Sequence, residues 1–501
     1  MKRHREVVHL KRSCGILLAL SSLPDGTGSG DLGGPARAFV DFLARAGQSL
    51  WQVLPLTRTD GLLGNSPYSS PSAFAGDTLY LALDDLVEQG LLAPEDLTDA
   101  PSFLDGRTDY DAVRAYRDGK VRLAFGKFAP DGAYYDFLER QRYWLTDYTL
   151  FTALKERFGG LPWNLWPEEL RRREEDALRA AAADLREEMD YLAFGQFLFF
   201  SQLERLKERC AEVGVELLGD LPIYVHYDSA DVWAHPGFFR LDADLLPVEV
   251  AGVPPDYFSK TGQLWGNPLY DWEALERDRF SWWIERLRRA LSMYHRVRID
   301  HFRGLVACWS VPFGEQTAEK GTWRPVPFTP FFEAVRSSFP DLPFLAEDLG
   351  IITPDVREAI ASSSLPGMAV LLFAFEGDTA DNPHAPHNHK RNLAVYSGTH
   401  DNDTALGWFR SSPDEARLLQ EYVGHPVDEG DAADRIVRLT LSSVAARAII
   451  PLQDYLGLGS EARMNTPSTA TGNWTWRAPK GRLSDGLAER LKRLASLYGR
   501  T

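Results

Sequence analysis

Eight short apolar runs, each stopping at glycine or a polar residue and each set apart from the next by a longer stretch, constrain this chain more than any other feature. They are Gly15 to Leu20, Trp51 to Leu56, Val215 to Val225, Val297 to Asp300, Pro343 to Glu347, Met368 to Phe375, Leu393 to Asp401 and Ala448 to Leu452. Runs of this kind suit strands covered on both faces, and their alternation with helical segments implies parallel βα units. Eight such units predict an α/β protein, a (β/α)8 TIM barrel with mostly helical insertions between strands. The insertions fall at roughly residues 57 to 200, after the second strand, and roughly 226 to 290, after the third. Length alone suggests about three domains, but a barrel with insertions absorbs residues 1–501 into a single catalytic unit. Asp184 to Val213 carries Met189, Leu192, Phe197, Phe200, Leu203 and Leu206 near helical spacing and stops at Gly214, which reads as a helix packed on the barrel.

Polar residues at the C-terminal ends of barrel strands face a common pocket. Four runs end that way, at Gly219-Asp220, Asp300, Glu347-Asp348 and His400-Asp401. Side chains alternate along a strand, so Arg298 and Asp300 share a face, and the guanidinium is expected to depress the Asp300 pKa and keep it anionic. On its own that pair reads equally well as a structural ion pair at a strand end. Glu347 keeps apolar company in Phe344, Leu345 and Ala346, which is expected to raise its pKa and make it a proton donor. Two carboxyls with pKa values pushed apart are what retaining glycoside chemistry uses as nucleophile and acid, with Asp401 a third carboxylate near the developing positive charge.

Composition agrees with a sugar enzyme. Fourteen Trp and 12% aromatic residues supply flat apolar faces, and a net charge of -16 argues against nucleic acid as a partner. Three sparse cysteines, Cys14, Cys210 and Cys308, read as reduced thiols in a cytoplasmic protein. The basic residues Lys2 to Arg5 ahead of Cys14 to Leu20 mimic a secretory signal, but the apolar run is short and no small-residue cleavage site follows. No stretch is long enough to span a membrane.

Three runs carry a specific resemblance: Arg298 to Gly304, Ala346 to Gly350 and Gly398 to Thr404. They resemble the signature of the 4-α-glucanotransferases called amylomaltases or disproportionating enzymes, a branch of the α-amylase superfamily. Further matches are Ser22-Leu23-Pro24, Gly64 to Tyr68, Asp220 to Val225, Gly252 to Phe258 with Trp265 to Pro268, Ala462 to Asn465 and Asn473-Trp474, so the resemblance spans nearly the whole chain. It implies Asp300 as nucleophile, Glu347 as general acid/base, Asp401 as transition-state stabiliser and Arg298 orienting the nucleophile. It also implies His301, His400 and Asp220 on hydroxyls of the donor sugar, Tyr68 stacked on that sugar, and Asn465 among the substrate contacts. Asp256, Tyr257, Phe258 and Trp265 would form a lid on the acceptor side, where aromatic rings exclude water and favour a sugar acceptor. The expected partners are α-1,4-glucans and maltooligosaccharides, with glucose as acceptor and the protein a monomer or weak homo-oligomer. No cofactor and no metal are implied.

The cluster His384, His387 and His389 does not read as a metal site, because Pro383 and Pro386 prevent a regular helix and no acids sit at ligand spacing. The chain departs from the family pattern at Ala19-Leu20, Leu372, Cys308, Lys260, Leu264 and Ser468, which bears on outer subsites and chain-length preference. Two other readings stay open at this stage. One is an α-1,4-glucan hydrolase using the same carboxylates with water; the other is a non-catalytic glucan-binding protein.

Overall fold

A computed structural model describes residues 11–24, 27–255, 259–350, 352–469 and 471–501. Its strands, in chain order, are β1 (Ser13–Leu17), β2 (Leu50–Gln52), β3 (Glu216–Leu221), β4 (Glu249–Val253), β5 (Gln263–Pro268), β6 (Arg296–Ile299), β7 (Ala307–Pro312), β8 (Thr322–Pro325), β9 (Phe344–Ala346), β10 (Gly367–Val370), β11 (Leu393–Tyr396) and β12 (Arg447–Pro451). Eight of these run parallel in the order β10-β11-β12-β1-β2-β3-β6-β9, and each falls on one of the eight apolar runs. The outer strands β9 and β10 meet through the Ala346 N–H on Pro366 O at 2.9 Å and the Met368 N–H on the Asp348 carboxylate at 2.6 Å, which closes the barrel.

The strands are apolar because both of their faces are covered. Residues 344–346, 367–370 and 448–451 are buried throughout, and helices such as Gly34–Arg45, Arg186–Val213, Ser281–Met293 and Glu429–Ser442 lie outside them. Gly34–Arg45 shows how the sequence does this. Pro35 sits in its first turn, where its missing N–H costs nothing, and Ala36, Phe39, Val40 and Leu43 form one buried stripe at helical spacing.

The insertion after β2 is helical, as expected, with Tyr110–Phe125 and Gly132–Arg157 packed near the 28-residue helix Arg186–Val213. That last helix leads straight into β3, so a boundary near 200 falls inside it. The insertion after β3 is not helical alone. β4 and β5 join β7 and β8, which follow β6, in a four-stranded antiparallel sheet ordered β5-β4-β7-β8. Its outer strands β5 and β8, Gln263-Leu-Trp-Gly-Asn-Pro and Thr322-Trp-Arg-Pro, are rich in glycine, proline and polar residues and give no run of alternating apolar residues for a sequence to show.

Candidate active site

β6 delivers Asp300 one residue past its end, and β9 delivers Glu347 in the same way from the neighbouring strand. Adjacent parallel strands therefore put the two carboxyls side by side at the C-terminal mouth of the barrel. Arg298, 3% exposed, donates to Asp300 Oδ1 at 2.8 Å. It also holds Asp220 through two contacts, Nε to Oδ1 at 2.9 Å and Nη2 to Oδ2 at 2.7 Å. The guanidinium is thus shared between two carboxylates, and its planar fork fixes both.

This sharing changes the electrostatics that the sequence suggested. Burial raises the Asp300 pKa, Arg298 lowers it, and the nearby Asp220 charge raises it again, leaving it at about 6. The expectation of a depressed pKa is corrected here: burial outweighs the attraction of Arg298, and the Asp220 carboxylate on the same guanidinium adds to the rise. Glu347 is pushed higher, to about 8, first by burial and next by the charge of Asp300. Its Oε2 accepts the His301 N–H and its Oε1 the Leu349 N–H, each at 2.7 Å, and these bonds to the anion do not offset the burial. The pair titrates as a unit in which Asp300 gives up its proton first and Glu347 keeps one. That order is the one an acid and a nucleophile require.

The third carboxylate stands in a different environment. Burial alone would raise Asp401, but the charge and hydrogen bond of His400 and the amide of Asn465 hold it well below the usual range. His400 Nε2 lies 3.2 Å from Asp401 Oδ2, and Asn465 Nδ2 donates to Oδ1 at 2.6 Å. Burial lowers the His400 pKa, but the charge and hydrogen bond of Asp401 more than offset it and raise it above its ordinary value.

The aromatic residues complete the cleft. The Tyr68 ring is stacked on His400 with centroids 4.9 Å apart, and its hydroxyl donates to Asp220 Oδ2 at 2.7 Å. Trp265, on β5, is 38% exposed and meets the His301 ring edge-on at 4.8 Å. His301 itself has φ 47°, a left-handed backbone that turns its N–H onto Glu347, and burial pushes its imidazole down to about 4, so it is neutral. Asp256, Tyr257 and Phe258 lie outside the described residues.

Thus Arg298, Asp300, Glu347, Asp401, Tyr68, Asp220, His301, His400, Trp265 and Asn465 come together at one end of the barrel. Asp220, expected on sugar hydroxyls, holds Arg298 and Tyr68, and Asn465, expected among the substrate contacts, donates its amide N–H to Asp401. Two contributors had no role assigned from sequence. Arg463 donates to Asp401 O at 2.6 Å and to Asn465 O at 2.7 Å, and Trp474 lies 5.7 Å from the Tyr68 ring and 6.0 Å from His400. Both sit inside runs that resemble the family, which was the available signal. Among the described residues no group of three His, Cys, Asp or Glu side chains could hold a metal ion. His384, His387 and His389 are occupied with the Val370 N–H, Tyr422 and Ser443 respectively.

Residues 18–483 match the 4-alpha-glucanotransferase family of glycoside hydrolases. The 4-alpha-glucanotransferase of Thermus thermophilus is 47% identical over 97% of this chain and 99% of its own length. The chain belongs to the 4-alpha-glucanotransferase family. The chloroplastic/amyloplastic enzyme of Solanum tuberosum is 43% identical over 98% of this chain and 87% of its own. Among solved structures, the amylomaltase of Streptococcus agalactiae in complex with acarbose superposes with a TM-score of 0.94 at 36% identity, covering 98% of this chain and 100% of that one. This enzyme is therefore a 4-alpha-glucanotransferase on a (β/α)8 barrel, and its substrates are α-glucans and maltooligosaccharides. The non-catalytic reading ends here.

Proposed function

We propose that this 4-alpha-glucanotransferase works by a retaining double displacement in which Asp300 is the nucleophile. Asp300 attacks the anomeric carbon of the donor sugar, and the glycosidic bond breaks as Glu347 passes its proton to the leaving oxygen. The product is a glycosyl ester on Asp300. Glu347, now ionised, takes the proton from a 4-hydroxyl of the acceptor, whose oxygen attacks the same carbon and releases Asp300. The single observation that carries this reading is the placement of two carboxyls on adjacent strand ends in surroundings that ionise Asp300 and keep Glu347 protonated.

The anionic Asp401 is read as stabilising the positive charge that develops on the sugar ring, and His400 offers a donor beside it. Tyr68, Trp265 and His301 line the sugar path, Asp220 acts on the sugar through Tyr68 and Arg298, and Asn465 acts through Asp401. Asp256, Tyr257 and Phe258 are read as the acceptor-side lid. Glucose is the smallest acceptor. The enzyme is read as cytoplasmic, in keeping with three free, buried cysteines, and as a monomer or weak homo-oligomer.

Incubation with pure maltotriose tests transfer against hydrolysis. The expected outcome is a ladder of longer oligosaccharides together with glucose, and isotopically labelled glucose should enter the ladder at its reducing ends. Glucose and maltose without elongation would make water the acceptor and overturn the reading.

A further inference from the structure

Asp454 lies outside every run that drew attention in the sequence. It follows β12 in the short helix Leu452–Leu456 and is 3% exposed. Its carboxylate joins two points on another part of the chain. Oδ2 accepts from Ser397 Oγ at 2.6 Å, and Oδ1 accepts from the Ala405 N–H at 2.8 Å. Ser397 directly follows β11, and Ala405 opens the helix Ala405–Ser411, so the two bonds bracket the segment Gly398 to Thr404. That segment carries His400 and Asp401.

The bracketed loop is stiff within itself. Asn402 Oδ1 accepts from the Thr399 N–H at 2.8 Å and from Thr399 Oγ1 at 2.9 Å, and Asp403 accepts from Ser460 Oγ at 2.7 Å. The void among Leu17, His400, Thr404, Asp454 and Arg463 is only about 10 Å³. A close-packed, internally braced loop moves as a body, so displacement at its ends is passed to His400 and Asp401 and not absorbed. Burial raises the Asp454 pKa to about 6, so an acid at this position carries a desolvation cost. A buried acid with that cost is a poor device for stability alone.

We infer that Asp454 is a positioning residue for the transfer reaction: its carboxylate clasps both ends of the Gly398–Thr404 loop and sets where Asp401 and His400 stand against the donor sugar. This rests on the proposed role of Asp401. Asp454 acts through that loop and touches no reacting atom.

The test compares kcat and KM on maltotriose, per folded molecule, for Asp454→Ala, Asp454→Asn and Ser397→Ala. A misplacement of about 1 Å at a group that acts in the transition state costs on the order of a hundredfold. Asp454→Ala is therefore expected to lower kcat by about ten- to a hundredfold with KM little changed. Asp454→Asn, which still offers one carbonyl oxygen to Ala405 and can donate to Ser397, should restore most of the rate, and Ser397→Ala should show a smaller loss of the same kind. The second measurement uses a maltosyl fluoride donor, which turns over without acid help, in an Asp401→Asn background. There, adding Asp454→Ala should cost little more, because the clasp then positions a group already lost.

Wild-type kcat in folded Asp454→Ala would overturn the inference, as would losses from Asp401→Asn and Asp454→Ala that multiply in full. If Asp454→Ala does not fold, Ser397→Ala decides by the same kcat and KM criterion, and wild-type kcat in it overturns the inference. Normal turnover in Asp401→Asn is a separate failure, which removes the role of Asp401 and the clasp with it.

Discussion

At the scale of single residues, the chemistry rests on which of two neighbouring acids holds a proton. Asp300 must be ionised to attack, so activity is lost as pH falls through its value of about 6. Glu347 must be protonated to donate, so activity is lost as pH rises through about 8. A plot of kcat/KM against pH on maltotriose is therefore expected to be a bell whose limbs belong to the coupled pair. Glu347→Gln should lower kcat on maltotriose by about 10²- to 10⁴-fold, the usual contribution of a general acid, and remove the alkaline limb of the activity that remains. Formation of the glycosyl ester from a maltosyl fluoride donor, whose fluoride leaves without a proton, should fall far less. An alkaline limb that survives in Glu347→Gln would assign the acid elsewhere. The sequence showed the pairing of Arg298 with Asp300 and the apolar company of Glu347 correctly. It did not show that Arg298 also grips Asp220, because that contact joins β6 to β3 across 78 residues and depends on strand order. The direction of the Asp300 shift follows first from its burial at the barrel mouth and then from that unseen partner, neither of which is local in the sequence.

Elements place these residues, and here the sequence was legible where packing repeats and silent where it does not. All eight barrel strands stand on apolar runs because a parallel strand covered on both faces has to be apolar along its length. The outer strands of the smaller sheet, β5 and β8, lack that signal: Thr322–Pro325 is exposed throughout, and Gln263–Pro268 is buried only at its last residue. The sheet was thus not legible as an element, although Gly252 and Trp265 to Pro268 lie in runs that resemble the family. Close approach between elements is testable at Gly219 in β3. A Cβ placed there would come within 2.1 Å of the Tyr294 ring, whose hydroxyl accepts the Leu56 N–H at 2.9 Å. The ring is buried and hydrogen-bonded, so it has little room to retreat. Gly219→Ala is expected to destabilise the fold by about 1–3 kcal/mol, as overpacking in a core does. It should also lower kcat, because Asp220 is the next residue. Denaturant midpoints and turnover on the same samples check both, and an unchanged midpoint would mean that Tyr294 yields freely.

Across the whole molecule, the barrel separates chemistry from stability by its two faces. The carboxyls gather at the C-terminal ends of the strands, and the opposite face is held by a different set of contacts. Arg500, 1% exposed, reaches the N-terminal end of β1 and the end of the helix Glu429–Ser442 that leads toward β12. Its guanidinium donates to Ser13 O at 2.9 Å, Leu441 O at 2.8 Å and Ser443 O at 2.8 Å. Arg12 backs it, donating to Tyr498 O at 2.7 Å. β1 and β12 are neighbours in the barrel, so this clasp ties the seam between the first and last strands at the end remote from the site. The sequence could not show it, since one arginine far from any motif carries no local pattern. Removing Arg500 takes its donor from Ser13 O, whereas Leu441 O and Ser443 O keep a bond from Arg12 Nη2, so the net loss is one charge-assisted hydrogen bond, about 1.5–3 kcal/mol. Arg500→Ala is therefore expected to cost about 2 kcal/mol of stability, read as a lower Tm. Turnover of maltotriose per folded molecule should stay at the wild-type value, because conserving the far face is not needed to aim Asp300, Glu347 and Asp401. A fall in kcat at temperatures where Arg500→Ala is fully folded would show that the two faces are coupled through the strands.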